Sequence, residues 1–177
     1  MEPAVPGLTV LDRDSVEALS AAARTLPRRR LNRNLHAMED PVHRLLNAVE
    51  PGSYVRPHRH LSPPRTETAV AVAGRLGLLV FDGEGRVETR AVLAPAGRQL
   101  VAEIRPGTWH AFVALEAGTV FFEVKEGPYV APTAGDVAAW APAEGEPAAA
   151  DWERGWRELF RESDHRSPGR LQAPFTP

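Results

Sequence analysis

Cysteine is absent from the 177 residues. That absence excludes disulfides, thiolate zinc sites, iron–sulfur clusters and a cysteine nucleophile. Any metal must then be held by His, Asp or Glu, which suits iron, manganese, nickel or zinc. Lysine is nearly absent: Lys125 is the single one among 21 basic residues, a bias we read as genomic and not as an arginine-based recognition surface. No stretch approaches the ~20 apolar residues of a membrane span. The opening MEPAVPGLTVLDRD carries acids and prolines where a signal peptide needs a basic start and an apolar run, so a cytoplasmic protein is expected. With a net charge of only −2, neither nucleic acid nor an anionic membrane is expected as partner.

What is present fits one globular domain with a real core: 43% hydrophobic and 25% charged residues are ordinary values. Residues 14–26, DSVEALSAAARTL, read as a helix with Asp14 as its cap and Glu17 at the third helical position. Val16, Leu19, Ala23 and Leu26 form its apolar stripe, and Pro27 ends it. Arg28, Arg29 and Arg30 follow, a solvated loop unless a charged ligand binds nearby. DPVHRLLNAV reads equally as helix or strand. From SYVRPHRH onward, short runs rich in Val, Leu, Phe and Thr alternate with Gly, Pro and Asp turns, the pattern of a sandwich or barrel. Near the end, Trp152, Trp156, Leu159 and Phe160 share one helical face, which would pack on the barrel or on a second subunit. SPGRLQAPFTP is expected to be loose.

The chemistry concentrates in PHRHLSPPRTE. Residues two apart on a strand point to one face, so His58 and His60 project together, joined by Tyr54 and Arg56 if Pro57 keeps the alternation. If Pro57 shifts the register, Arg56 points outward. His110 follows a Pro106-Gly107 turn and opens another strand. Buried imidazoles need partners, and a metal ion satisfies several at once; a hydrogen-bonded histidine pair is the alternative. Glu123 and Lys125 share a face of FFEVKEGPY, either toward a pocket or as an exposed ion pair. Asn34 and His36 pair similarly if NRNLH is extended. His43 and His165 read as surface residues, Trp109 and Trp140 as packing.

Gly52, His58, His60, Glu67 and Gly74 resemble the first motif of the cupins, and IRPGTWH is similar to the second. RRRLNRNLH, DPVHRLLNAVEPGSYVRPHRH, IRPGTWHAFVALEAGTVFFEVKEGPY and AAWAPAEG resemble one branch, the WbuC family of cupin-fold metalloproteins. The resemblance implies a mainly β, single-domain cupin (a double-stranded β-helix or jelly-roll barrel) with N- and C-terminal helices. We place the N-terminal helix and basic segment at 1–39, the barrel at 40–142, and the last helix and tail at 143–177. It further implies a divalent transition metal on His58, His60, Glu67 and His110, with positions left open for substrate or water. Two departures stand out. The gap from His60 to Glu67 is longer than usual, which calls for a bulge at Ser62-Pro63-Pro64. Ala114 stands where an asparagine could have supported the centre.

As catalytic or substrate-binding candidates we take Tyr54, Arg56, Glu123 and Lys125; Arg56 would suit an anionic small molecule. WbuC-type resemblance implies a sugar or sugar-nucleotide substrate in surface polysaccharide (O-antigen) metabolism, with isomerase, epimerase or oxygenase chemistry open, and a homodimer by analogy with cupins. The alternatives are a non-catalytic ligand- or metal-binding module and a metal-free sugar epimerase using a histidine base and a tyrosine acid.

Overall fold

The computed structural model describes residues 7–161. Helix α1 (Arg13–Thr25) starts two residues earlier than an Asp14 cap would place it, because Asp12 is the cap: its carboxylate accepts from Ser15 N at 2.8 Å. Leu19 and Ala23 are buried, and the helix packs on the outward residues Leu46, Ala48 and Val120 of two strands. The ambiguous VHRLLNAV is strand β2 (Val42–Val49). Its inner face continues from the edge strand β1 (Arg30–Asn34), which pairs with it from Arg30↔Val49 to Asn34↔Leu45. The sheet therefore begins ahead of residue 40.

The other strands are β3 (Glu67–Ala73), β4 (Leu76–Phe81), β5 (Val87–Leu93), β6 (Val101–Ile104), β7 (Trp109–Ala114) and β8 (Thr119–Glu126). One sheet has the order β1-β2-β8-β3-β6 and the other β5-β4-β7. His58 adds to the free edge of β7 through an isolated bridge with His110. Apart from the paired neighbours β1–β2 and β4–β5, and counting the His58 segment between β2 and β3, successive strands switch between two facing antiparallel sheets, the jelly-roll arrangement expected of a cupin. SYVRPHRH, which reads as a continuous strand, makes only this bridge and one to Val137; Pro57 has no N–H to give to a ladder.

Between the sheets lie Val49, Leu76, Leu78, Leu93, Ile104, Phe112 and Phe121, all buried. They fill one part of the barrel and leave another part to polar residues. Helix α2 (Pro147–Arg161) covers the outside of the smaller sheet, where Trp156 and Phe160 pack with Leu79, Phe81, Ala111 and Val113. Gly77 allows that approach: a Cβ there would lie 2.8 Å from Phe160 and from Val113. The aromatic face of the last helix is therefore consumed within the chain. No helix among the described residues is long and apolar enough to cross a membrane. His165 and the proline-rich tail lie outside the described residues.

Candidate metal centre

Four side chains from three parts of the chain converge at the polar end of the barrel. His58, His60, Glu67 and His110 each offer one potential ligand atom, and those atoms lie within 4.8 Å of one another. The backbone explains the convergence. His58 N donates to His110 O (3.0 Å) and His110 N donates to His58 O (2.9 Å), so the two residues are a hydrogen-bonded antiparallel pair with side chains on one face. Their ring centroids are 4.4 Å apart. His60 follows two residues on, and its carbonyl accepts from Gly107 N at 3.0 Å.

The long gap from His60 to Glu67 is a compact turn. Leu61 bridges Pro64, and Glu67 then opens β3 between Ile104 of β6 and Lys125 of β8. Its side chain is 1% exposed, with Oε2 2.7 Å from His60 Nε2 and 3.8 Å from His110 Nε2. The neighbouring Arg65 is buried as well and donates to Pro128 O at 2.6 Å. Asp136 fastens the turn from across the fold, accepting from Leu61 N at 3.1 Å and from Thr133 N and Oγ1 at 3.0 and 2.6 Å. Its role is not legible in the sequence, where it lies far beyond His60 in a stretch without periodicity.

The donor chemistry fits a cation. His58 Nδ1 meets Arg56 O at 3.2 Å, and His110 Nδ1 meets Thr108 O at 2.9 Å. A carbonyl only accepts, so each Nδ1 carries the proton and each Nε2 presents a lone pair, the arrangement in which ligating imidazoles are commonly held. His110 Nε2 and Glu67 Oε1 are buried without a hydrogen-bond partner, which is costly unless something positive satisfies them. Burial, helped by the neighbouring His110, lowers the His58 pKa to about 3, keeping that ring neutral. Burial alone would raise Glu67, but the neighbouring His110 and His60 imidazoles and the Lys125 charge outweigh it and hold the carboxyl well below its ordinary range.

A cavity of about 550 Å³ adjoins this cluster, within the usual range of roughly 300–1,000 Å³ for small-molecule sites. His58, Glu67, Asn47, Glu123 and Lys125 line it. Lys125 Nζ lies 2.6 Å from Glu123 Oε1 and 4.0 Å from Glu67 Oε2, and Asn47 Nδ2 donates to Glu123 Oε2 at 2.8 Å. Burial and the nearby Glu67 charge raise Glu123; Lys125, depressed by burial, is raised overall by the two carboxylates. On the other side of His58 a smaller cleft of about 120 Å³ is bordered by His60, Leu61, Tyr129 and Val130.

Two sequence candidates are not in this site. Tyr54 is buried against the outer helix, stacked on Trp156 at 5.4 Å, with its hydroxyl donating to Pro142 O at 2.9 Å. Burial raises its pKa to about 12. Arg56 donates to Ala138 O at 3.1 Å, and Val55 rather than Arg56 lines the cavity. The register shifts at Pro57, so the parity that carries His58 and His60 inward does not extend back to residues 54 and 56. His43 is also placed differently from its reading as a surface residue. It is buried, its ring stacked on His36 at 4.1 Å and its Nε2 3.2 Å from Met38 O. Asn47 is a site residue that alternation alone does not single out.

A family model described as "Domain of unknown function (DUF6016)" matches residues 11–93. No curated protein matches the chain. Solved structures with a similar fold include KdgF from Halomonas sp., at 16% identity and a TM-score of 0.46, covering 60% of this chain and 85% of that one. A cupin superfamily protein from Desulfitobacterium hafniense DCB-2 is 14% identical over 55% of this chain and 76% of its own, with a TM-score of 0.44. The oxalate decarboxylase of Lactobacillus farciminis, solved as a formate complex, is 21% identical at a TM-score of 0.44, covering 56% of this chain. The match spans only 29% of that enzyme's length. Likenesses of this degree carry no residue role or substrate to the chain.

Proposed function

We propose that the chain is a metal-dependent cupin acting on a small, oxygen-rich molecule admitted to the 550 Å³ cavity. One observation carries this reading: three imidazoles and a carboxylate converge beside that cavity, which His58 and Glu67 line, with His110 Nε2 and Glu67 Oε1 buried and unpartnered. His58, His60, Glu67 and His110 would hold a divalent ion such as iron, manganese, nickel or zinc. When bound, such an ion supplies Lewis-acid activation of a carbonyl or hydroxyl oxygen. The chain itself contributes the rest. Glu123 and Lys125 form a proton-holding pair beside the ligands, placed to accept or donate a proton at a substrate oxygen or carbon. Asn47 orients the Glu123 carboxylate through Oε2, and Phe112 and Phe121 give the cavity an apolar wall that limits water.

The resemblance to WbuC proteins makes a sugar or sugar nucleotide of surface polysaccharide metabolism the substrate class to test first; the cytoplasmic location and homodimer belong to the same proposal. The metal-free epimerase alternative has less support, because Tyr54 does not line the cavity. Elemental analysis of the purified protein beside His58→Ala and Glu67→Ala tests the reading. Near-stoichiometric transition metal in the wild type and its loss in both variants is the expected result. A wild type that holds no metal and cannot be loaded overturns it. Turnover of candidate sugar nucleotides by the loaded protein then separates an enzyme from a non-catalytic binding module.

A further inference from the structure

The cavity has a second polar end, away from the metal ligands. Pairing aligns inward residues across the five-stranded sheet: Glu67 with Lys125, Asn47 beside Glu123, Asn32 opposite Asn47, and Arg30 opposite Val49. A polar track therefore crosses from β3 to the edge strand β1, three strand spacings or about 14 Å. Arg28 joins Arg30 along the cavity there. Both guanidinium groups close on one carboxylate, that of Glu144, on the segment leading to α2. Arg28 Nε and Nη2 donate to Glu144 Oε1 and Oε2 at 2.5 and 2.7 Å, and Arg30 Nη2 donates to Oε2 at 2.8 Å. Arg30 is otherwise held by the chain, its Nη1 donating to Tyr54 O at 3.0 Å. Between the two arginines, Arg29 is the one non-glycine residue with positive φ among the described residues, at 52°. That sparsely populated conformation sends Arg29 to Pro51 O and leaves its two neighbours facing the same carboxylate.

We propose that Arg28 and Arg30 form a subsite for an anionic oxygen group of the ligand, a carboxylate or phosphoryl group, and that Glu144 occupies it until the ligand displaces it. This deepens the reading above, on which it rests, by assigning the substrate a negative charge at the end remote from the metal ligands. Two positive charges face one exposed carboxylate, so the subsite keeps a net positive charge even when Glu144 is in place. Bidentate guanidinium geometry suits either kind of oxyanion. Side-chain exposures of 19% for Arg30 and 36% for Glu144 fit an anchored cation with a releasable partner. The basic run thus has a use beyond a solvated loop.

The test is calorimetric titration of the purified full chain with inorganic phosphate and with glucuronate, glucose serving as the uncharged control. Glu144→Gln removes the internal competitor and should tighten anion binding about threefold to tenfold. Arg28→Gln and Arg30→Gln should each weaken it by about tenfold. Glu84→Gln removes the same charge at an exposed turn and should change nothing. Binding that ignores Glu144→Gln, or tightens equally with Glu84→Gln, overturns the subsite. The stronger of the two anions distinguishes a phosphoryl from a carboxylate ligand. Metal content measured on the same samples reports on the metal centre separately, so either reading can fail without the other.

Discussion

His58 and His110 lie side by side because each donates its backbone N–H to the other's carbonyl, at 3.0 and 2.9 Å. The pairing fixes both imidazoles before any ligand binds, and the Nδ1 contacts to Arg56 O and Thr108 O fix their tautomers. The site is thus built into the sheet edge rather than assembled from mobile loops. That has consequences for metal binding, for stability and for the roles of nearby residues.

Metal loading should stabilise the fold. An ion that binds only the native state adds about 2.7 kcal/mol at 100 times its dissociation constant. For a chain of this size that raises Tm by roughly 5–10 °C. Thermal unfolding with and without a chelator measures it, and an unchanged Tm on loading would disconnect the cluster from metal.

Tyr54→Phe should cost about 1 kcal/mol, the worth of its hydrogen bond to Pro142 O, and leave metal content and turnover unchanged. Denaturant unfolding beside elemental analysis checks this. A loss of turnover at normal stability would return Tyr54 to the catalytic set.

Phe160→Ala should destabilise by about 3–5 kcal/mol through the cavity it opens on the outer face of the small sheet. Gly77→Ala should cost about 1–3 kcal/mol by forcing Phe160 and Val113 apart. Neither should change metal content in the folded fraction, since both act on the sheet face opposite His110. Metal loss at full folding would show that α2 supports the site directly.

Glu50 predicts an acid limit. Its fully buried carboxylate ties α1 to the β7–β8 turn by accepting from Ser20 Oγ at 2.6 Å, Arg24 Nε at 3.1 Å and Gly118 N at 3.1 Å. Burial by itself would raise its pKa, but these donors together hold it below its ordinary 4.5. A depressed native pKa contributes stability above the unfolded value and loses it as pH falls through the folded one. Glu50→Gln should therefore cost about 1–3 kcal/mol near neutral pH, with the deficit shrinking progressively below about pH 4.5. Urea unfolding of both proteins at a series of pH values measures the difference, and a pH-independent deficit would remove Glu50 as a titrating clasp.

Local pattern determined much of this protein from sequence alone. Glu67 and His110 join the metal-ligand candidates through the resemblance to the cupin motifs, whereas alternation and turn residues mark most strands, the apolar stripes mark both helices, and the His-x-His spacing puts His58 and His60 on one face. These are readable because strand parity and helical period act over neighbouring residues. Tertiary structure decided what depends on distant partners. Pro57 breaks the parity that would have brought Tyr54 and Arg56 inward, and only packing shows that Tyr54 belongs to Trp156. The sheet register, set by β2 and β8, carries Asn47 to Glu123. The closeness of Glu144 to Arg28 and Arg30 arises across most of the chain's length, where no periodic signal reaches. Glu67 lies between the two cases: its residue type was visible, but its burial depends on the 61–64 turn and on Asp136 fastening that turn from the far side of the chain.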